Sequence, residues 1–120
     1  MSEGSAYPPV TRDLTEARRA LAPEVEEAFR AFSQKVFADG ALPAKTKQLI
    51  AVAVAHVTQC PYCIKDHAKT ARRYGARPEE IKEAIWVAAE MRAGGAVAHA
   101  TLALAELGVG KTMGDGPGPG

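Results

Sequence analysis

The chain has 120 residues and a nearly balanced charge, with 15 basic and 14 acidic side chains and a formal net charge of +1. Such a charge gives no reason to expect nucleic acid or an anionic membrane surface as a partner. Of the residues, 47% are hydrophobic but only 6% are aromatic. Because alanine supplies much of the hydrophobic share, the composition favours one domain of closely packed helices over a sheet.

The two ends of the chain differ in composition from its middle. Residues 1–12 contain no apolar leader behind a basic start, and no stretch approaches the ~18 consecutive apolar residues of a membrane span. We therefore expect a cytoplasmic protein without a membrane segment. The composition predicts a mobile N-terminal segment over residues 1–12, a helical domain over 13–108 and a disordered tail rich in glycine and proline over 109–120.

Proline and glycine mark the expected helix ends within the domain. Three prolines stand where first helical turns would lie and three glycines where helices would stop, namely Pro23, Pro43, Pro78, Gly40, Gly75 and Gly108. The apolar spacing between them predicts an all-α fold, a compact bundle of about six helices, over residues 13–21, 23–38, 43–59, 61–74, 78–92 and 95–107. The third segment is rich in β-branched residues, which suit a strand, but its length and its alanines favour a buried helix.

The segment from His56 to His67 holds both cysteines and two of the three histidines of the chain. If Cys60 caps a helix that begins at Pro61, its sulfur lies beside unpaired backbone N–H groups, which favour the thiolate over the thiol. Cys63 then falls in the first turn of that helix, and His67 lies one turn further on the same face. A nucleophilic sulfur, a second thiol and a base would therefore be neighbours.

These three groups are what a thiol peroxidase or a disulfide reductase needs. The Cys-Pro-Tyr-Cys order also occurs in glutaredoxins, but those carry it after a strand, whereas here helices are expected on both sides. Zinc binding is the second interpretation, although zinc sites usually draw their ligand pairs from separate elements. Its ligands would be Cys60, Cys63, His67 and His56. His56 suits equally a core position with a satisfied hydrogen bond and a supporting role beside the dithiol.

Over residues 41–107 the sequence resembles the alkylhydroperoxidase D (AhpD) and carboxymuconolactone decarboxylase superfamily. The resemblance is carried by KTKQLIAVAVAHVTQCPYCIKDHAKTARRYGARPEEIKEAI. In this stretch a helix ends in a CxxC motif, a histidine follows the second cysteine by four residues, and a glycine precedes an acidic helix start. The resemblance implies an AhpD-like fold and an antioxidant enzyme that reduces hydroperoxides or disulfides. It argues against lactone decarboxylation, because the decarboxylase branch lacks the paired cysteines.

The resemblance also implies a role for each residue of the motif. In peroxidase-type members the second cysteine attacks the peroxide and the first resolves the product, which assigns attack to Cys63, resolution to Cys60 and proton transfer to His67. The family usually has a glutamate in the proton relay twelve residues before the first cysteine, where this chain has Gln48. An amide can orient a histidine or hold a water but cannot accept a proton as a carboxylate does, so Gln48 should weaken peroxidase turnover.

No bound organic cofactor is implied. The disulfide between Cys63 and Cys60 would be reduced by an external dithiol, from a thioredoxin-like or a lipoyl-bearing protein. Related proteins form trimers or hexamers, and the small residues over 95–107 suit a subunit contact, so we expect a homo-oligomer, with a hexamer favoured over a trimer. A non-catalytic helical module that binds zinc or senses redox state is the alternative.

Overall fold

The structure, a computed structural model, describes residues 6–111, and the regular elements within this range are all α-helices. They are α1 (Arg12–Leu21), α2 (Pro23–Phe37), α3 (Ala44–Thr58), α4 (Pro61–Arg73) and α5 (Pro78–Glu106). The prediction of an all-α fold is confirmed. Most of the tail predicted to be disordered, residues 112–120, and the first five residues of the predicted mobile segment lie outside the described range. Between residues 6 and 111, no helix combines the length and the apolar character needed to cross a membrane.

The helix ends follow the local chemistry of proline and glycine. Pro23 and Pro78 stand in the first turns of α2 and α5, as predicted. Pro43 instead precedes α3 as its N-cap residue, and the Ala44 N–H donates to the Asp39 carboxylate at 2.7 Å. Pro43 has the extended backbone of a cap residue, with φ −66° and ψ 153°, so the helix begins one residue later than the sequence predicts.

Gly75 ends α4 with a positive φ of 92°, a conformation that strains residues with a side chain. The Ala76 N–H donates to the Ala71 carbonyl at 2.9 Å, and the Gly75 N–H donates to the Arg72 carbonyl at 3.0 Å. These two bonds form a Schellman motif, which satisfies carbonyl groups that would otherwise lack partners at the helix end. The glycine therefore sets the point where the chain leaves α4 toward α5.

The last two predicted helices, 78–92 and 95–107, are one continuous helix of 29 residues in the structure. The prediction ended the first at Arg92 and began the second at Gly95. A glycine inside a helix costs about 1 kcal/mol relative to alanine, but it keeps its backbone N–H and so breaks no hydrogen bond. Since alanine flanks Gly94 and Gly95 on both sides and no proline interrupts the helix, it continues through both glycines.

The core of the chain is small and consists mainly of alanine. α3 packs against both α4 and α5, and Val52 is its fully buried residue. The buried apolar residues are Ala44, Val52, Ala55, Ala71, Ala76 and Ala88. Polar contacts also tie α3 to α5: Lys45 pairs with Glu80 at 3.0 Å, and the Arg92 guanidinium donates to the Val57 carbonyl at 2.8 Å. The small side chains let α4 and α5 approach α3 closely and hold the turn between α3 and α4 in a defined position.

Candidate active site at the turn between α3 and α4

The two cysteines lie where the chain turns from α3 into α4. Gln59 ends α3 in the left-handed conformation, with φ 57° and ψ 50°, and this reverses the chain direction. Cys60 follows with an extended backbone as the N-cap residue of α4, and Pro61 occupies the first turn. The Cys60 sulfur accepts a hydrogen bond from the Cys63 N–H at 3.3 Å. The motif thus combines a helix cap with a dithiol.

The two sulfurs differ in acidity, although both are free thiols and both are half-buried. The hydrogen bond from the Cys63 thiol, followed by that from the Cys63 N–H, lowers the pKa of Cys60. The same bond between the thiols, together with burial and the nearby charge on Cys60, raises the pKa of Cys63. Cys60 therefore forms the thiolate first, while Cys63 retains its proton.

His67, one turn after Cys63 on α4, is held by Gln48 from α3. The His67 Nδ1 lies 2.7 Å from the Gln48 Oε1, and Gln48 is only 4% exposed. Because a carbonyl oxygen can only accept a hydrogen bond, Nδ1 carries the hydrogen in this pair. The Nε2 of the neutral ring then has a free lone pair, which can accept a proton. Gln48 reaches His67 because α3 folds back along α4.

A cavity of about 470 Å³ opens beside His67. Cys63 and His67 line it from α4, and mainly apolar side chains of α2 and α3 form its other walls. The Phe37 ring, also in this lining, stacks on the His67 imidazole with 5.2 Å between the ring centroids and 30° between the planes. Cys60 is not among the residues that line the cavity. The two sulfurs therefore have different surroundings, and only Cys63 shares the cavity with the histidine.

His56 and Tyr62 lie close to the cysteines, but each hydrogen-bonds to a backbone carbonyl group rather than to a cysteine. The His56 Nδ1–H donates to the Val52 carbonyl at 2.8 Å within α3, and His56 does not line the cavity. A catalytic role for His56 stays a prediction from the sequence. Tyr62 lies between the cysteines, and its hydroxyl donates to the Pro8 carbonyl at 2.9 Å while its ring meets Tyr7 edge to face. Residues 7 and 8 thus lie against the cysteine motif.

Among residues 6–111, no three histidine, cysteine, aspartate or glutamate side chains converge in a way that could hold a metal ion. The four-ligand zinc site considered from the sequence is therefore not assembled by this packing. Cys63 and His67 face one cavity, whereas Cys60 does not line it, and the Nδ1 atoms of His67 and His56 are hydrogen-bonded to Gln48 and to the α3 backbone.

The family of the chain follows from comparison with known proteins. The model of the carboxymuconolactone decarboxylase family matches residues 23–106, which span helices α2 to α5. The chain belongs to this family. Its CxxC motif, His67 and Gln48 all lie inside the matched region.

Relatives of known sequence and structure agree with this family assignment. The chain is 64% identical over 102 residues to a Paracoccus denitrificans protein named uncharacterized protein 4 in cox locus, covering 85% of this chain and 91% of that protein. A solved protein from Methanobacterium thermoautotrophicum shares 37% identity with a TM-score of 0.65, over 69% of this chain and 93% of its own. An apo-form carboxymuconolactone decarboxylase family protein from Legionella pneumophila shares 39% identity with a TM-score of 0.61, over 68% and 75% of the two chains.

Two residues of the candidate site, Phe37 and Lys47, could not be identified from the sequence alone. Phe37 fits the apolar spacing of α2 as well as Phe32 does, so periodicity cannot distinguish the ring that contacts His67 from one that is exposed. Lys47 lines the cavity and donates to carbonyl oxygens at the end of α2, a contact that depends on how α2 packs on α3. The contacts of Phe37 and Lys47 can be recognised only once the packing of α2 on α3 is known.

Proposed function

We propose that this member of the carboxymuconolactone decarboxylase family is an AhpD-like antioxidant enzyme that reduces hydroperoxides, or disulfides, through the Cys60–Cys63 dithiol. The observation that carries the proposal is the shared cavity of Cys63 and His67, with Gln48 holding the imidazole in the tautomer that can accept a proton. A cytoplasmic location accords with this activity, because the dithiol must be returned to its reduced state between turnovers.

In the proposed reaction with a peroxide, Cys63 is the attacking sulfur. Its thiol proton passes to His67 Nε2, and the sulfur attacks one peroxide oxygen, so that the O–O bond breaks. Cys63 becomes a sulfenic acid, and the other oxygen takes the proton back from His67 and leaves as an alcohol or water. Cys60, having lost its own proton to water, then attacks the Cys63 sulfur as a thiolate, and the sulfenic oxygen takes up one proton from water and leaves as a water molecule. One peroxide is thus reduced by two electrons as two thiols become one disulfide.

The pKa difference between the sulfurs supports this division of roles. Cys60, whose pKa is lowered, loses its proton more readily than an ordinary thiol, which suits it to resolve the sulfenic acid. Cys63, whose pKa is raised, needs a base to remove its proton, and His67 shares its cavity. The disulfide is then reduced by the dithiol of a thioredoxin-like or lipoyl-bearing protein, which is itself oxidised to a disulfide and restores both thiols.

Treatment of the reduced protein with one equivalent of peroxide should remove both free thiols and form one intramolecular bond between Cys60 and Cys63. The reason is the N-cap geometry, which holds the two sulfurs within one helical turn. Mass spectrometry should find a loss of about two daltons confined to the peptide that contains both cysteines. Stoichiometric zinc in the purified protein, with thiols that resist peroxide, would instead support the non-catalytic zinc-binding alternative.

We also propose that the working form is a homo-oligomer, with a hexamer favoured over a trimer. On the single chain, all residues of α5 from 96 to 106 are exposed, including Val97 at 75% and Leu102 at 66%. A helix end that is apolar on several faces is normally buried, and apolar areas of this extent mark contacts between subunits. Trp86 and Met91 on the same helix are also more than half exposed, which extends the apolar surface.

Light scattering at micromolar concentration should therefore report a mass several times that of the 12.6 kDa chain. Replacing Leu102 by lysine should lower the assembled mass, because a charge in a buried contact is costly. Lys69→Glu, a charge change at an exposed residue of α4, is the control and should leave the mass unchanged. A monomeric wild-type protein would contradict the proposed assembly.

A further inference from the structure

Lys47 links the start of α3 to the end of α2 by hydrogen bonds, beside the cavity that holds Cys63 and His67. The Lys47 ammonium donates hydrogen bonds to the carbonyl oxygens of Val36 and Ala38, at 2.9 and 2.7 Å. Carbonyl groups at a helix C-terminus lack partners within the helix and lie at its negative end, so both hydrogen bonding and charge hold the lysine there. Phe37 lies between these two residues. Its backbone is therefore fixed relative to α3.

From this anchored position the Phe37 ring covers one face of the His67 imidazole. The hydrogen bond between His67 and Gln48 fixes the Nδ1 atom, but a single bond leaves the imidazole free to tilt about it. Contact between the two ring faces restricts that tilt. The hydrogen bond and the stack together therefore fix both the edge and the plane of the imidazole, and with them the direction of Nε2.

The exposed Asp66 carboxylate offers the imidazole a competing position. Its Oδ2 lies 3.9 Å from the His67 Nε2, and the Asp66 side chain is 70% exposed. An imidazole that tilted toward Asp66 would donate an Nε2–H to the carboxylate, in the tautomer that has no lone pair on Nε2. Its Nε2 would then no longer be available to take a proton from Cys63.

We propose that Phe37 is a positioning residue for proton transfer, because its ring, anchored through Lys47, holds the plane of the His67 imidazole and keeps the His67 Nε2 at 3.9 Å from the Asp66 Oδ2, beyond hydrogen-bond distance. The inference rests on the function proposed above, in which His67 accepts the proton of Cys63. Phe37 itself exchanges no proton. The ionisable groups near the imidazole are Asp66 and the two cysteines on its own helix and cap, and Lys47 from α3 in the lining of the same cavity.

Replacing Phe37 by leucine should slow the oxidation of Cys63 by about tenfold at neutral pH, because the flat surface that holds the imidazole is lost while an apolar side chain remains. Phe37→Tyr keeps the ring and should stay within about twofold of the wild-type rate. Phe32→Leu is the matched control, since the Phe32 ring lies on the same helix, is 62% exposed and contacts Phe29. Stopped-flow measurements on the reduced proteins over about pH 5 to 9 give these rates.

The His67 ring provides a second measurement that requires no enzymatic activity. Nitrogen-15 NMR should detect a single Nδ1–H tautomer in the wild type and in Phe37→Tyr, but a mixture of tautomers in Phe37→Leu. Lys47→Met removes the hydrogen bonds that anchor the end of α2 but does not alter the Phe37 side chain itself. It should shift the tautomers in the same direction, and it provides the test if the leucine variant does not fold.

Several outcomes would overturn the positioning role. One is a slow Phe37→Leu variant that retains the single tautomer, and another is a Phe37→Tyr variant as slow as the leucine variant, since both would indicate packing alone. A third is a leucine variant with unchanged rate and unchanged tautomers. If the wild-type protein reduces neither peroxide nor disulfide, the proposed function fails, but the NMR comparison still decides whether Phe37 holds the imidazole.

Discussion

Replacing Cys63 by serine should abolish the oxidation of the protein by peroxide and reduce the second-order rate constant to background. In the proposed reaction Cys63 supplies the electron pair that breaks the O–O bond, and it is the cysteine that shares a cavity with His67. A serine hydroxyl is a much weaker nucleophile and cannot form a sulfenic acid. Stopped-flow mixing of the reduced variant with peroxide, without any external reductant, measures this loss.

Cys60→Ser is the matched variant and should keep the first step while losing the second. The chain contains no third cysteine, so oxidised Cys63 should persist as a sulfenic acid, with a mass gain of one oxygen and a reaction with dimedone. The reverse result would be an inert Cys60→Ser variant and a reactive Cys63→Ser variant. It would assign the attack to Cys60, the sulfur with the lowered pKa, and overturn the role proposed for Cys63.

Replacing Gln48 by glutamate should accelerate Cys63 oxidation by about 10²-fold. The Gln48 Oε1 lies 2.7 Å from the His67 Nδ1, so a carboxylate there would accept the same hydrogen bond. Unlike the amide, it would also stabilise the imidazolium that forms when His67 takes the thiol proton. The gain carries a cost in stability. While His67 is neutral, the carboxylate is buried without a cationic partner, so the free energy of unfolding should fall.

Two further variants separate the possible roles of Gln48. Gln48→Ala removes the acceptor for the His67 Nδ1–H and should slow the reaction about tenfold if the native amide orients the ring. In a His67→Ala background, Gln48→Glu should give no acceleration, because no imidazolium remains to be stabilised. An acceleration that persists without His67, or an unchanged rate in both Gln48 variants, would remove this pair from the mechanism. Rates measured without reductant keep recycling from masking the step.

The sequence by itself determined the local geometry of the cysteine motif. Cys60 is the N-cap of α4, Pro61 lies in its first turn, and Cys63 and His67 follow at positions that spacing alone predicts. Gly75 ends the helix with a positive φ, as expected for a glycine at that point. These features depend on backbone hydrogen bonds and dihedral preferences that act within a few residues, so no knowledge of the packing is needed to predict them.

Only the tertiary structure decided which distant residues join this motif. Gln48 and His67 are 19 residues apart in the chain, and helical spacing does not determine whether α3 folds back along α4. Phe37 reaches the imidazole because Lys47 fixes the end of α2, although the sequence presents it as one of several apolar residues. For Gln48 and Phe37 the result follows from contacts between segments far apart in sequence, which helical spacing within one segment does not determine. The continuity of α5 beyond Arg92, where the sequence predicted a break, has a local reason instead, because a glycine keeps its backbone N–H and no proline interrupts the helix.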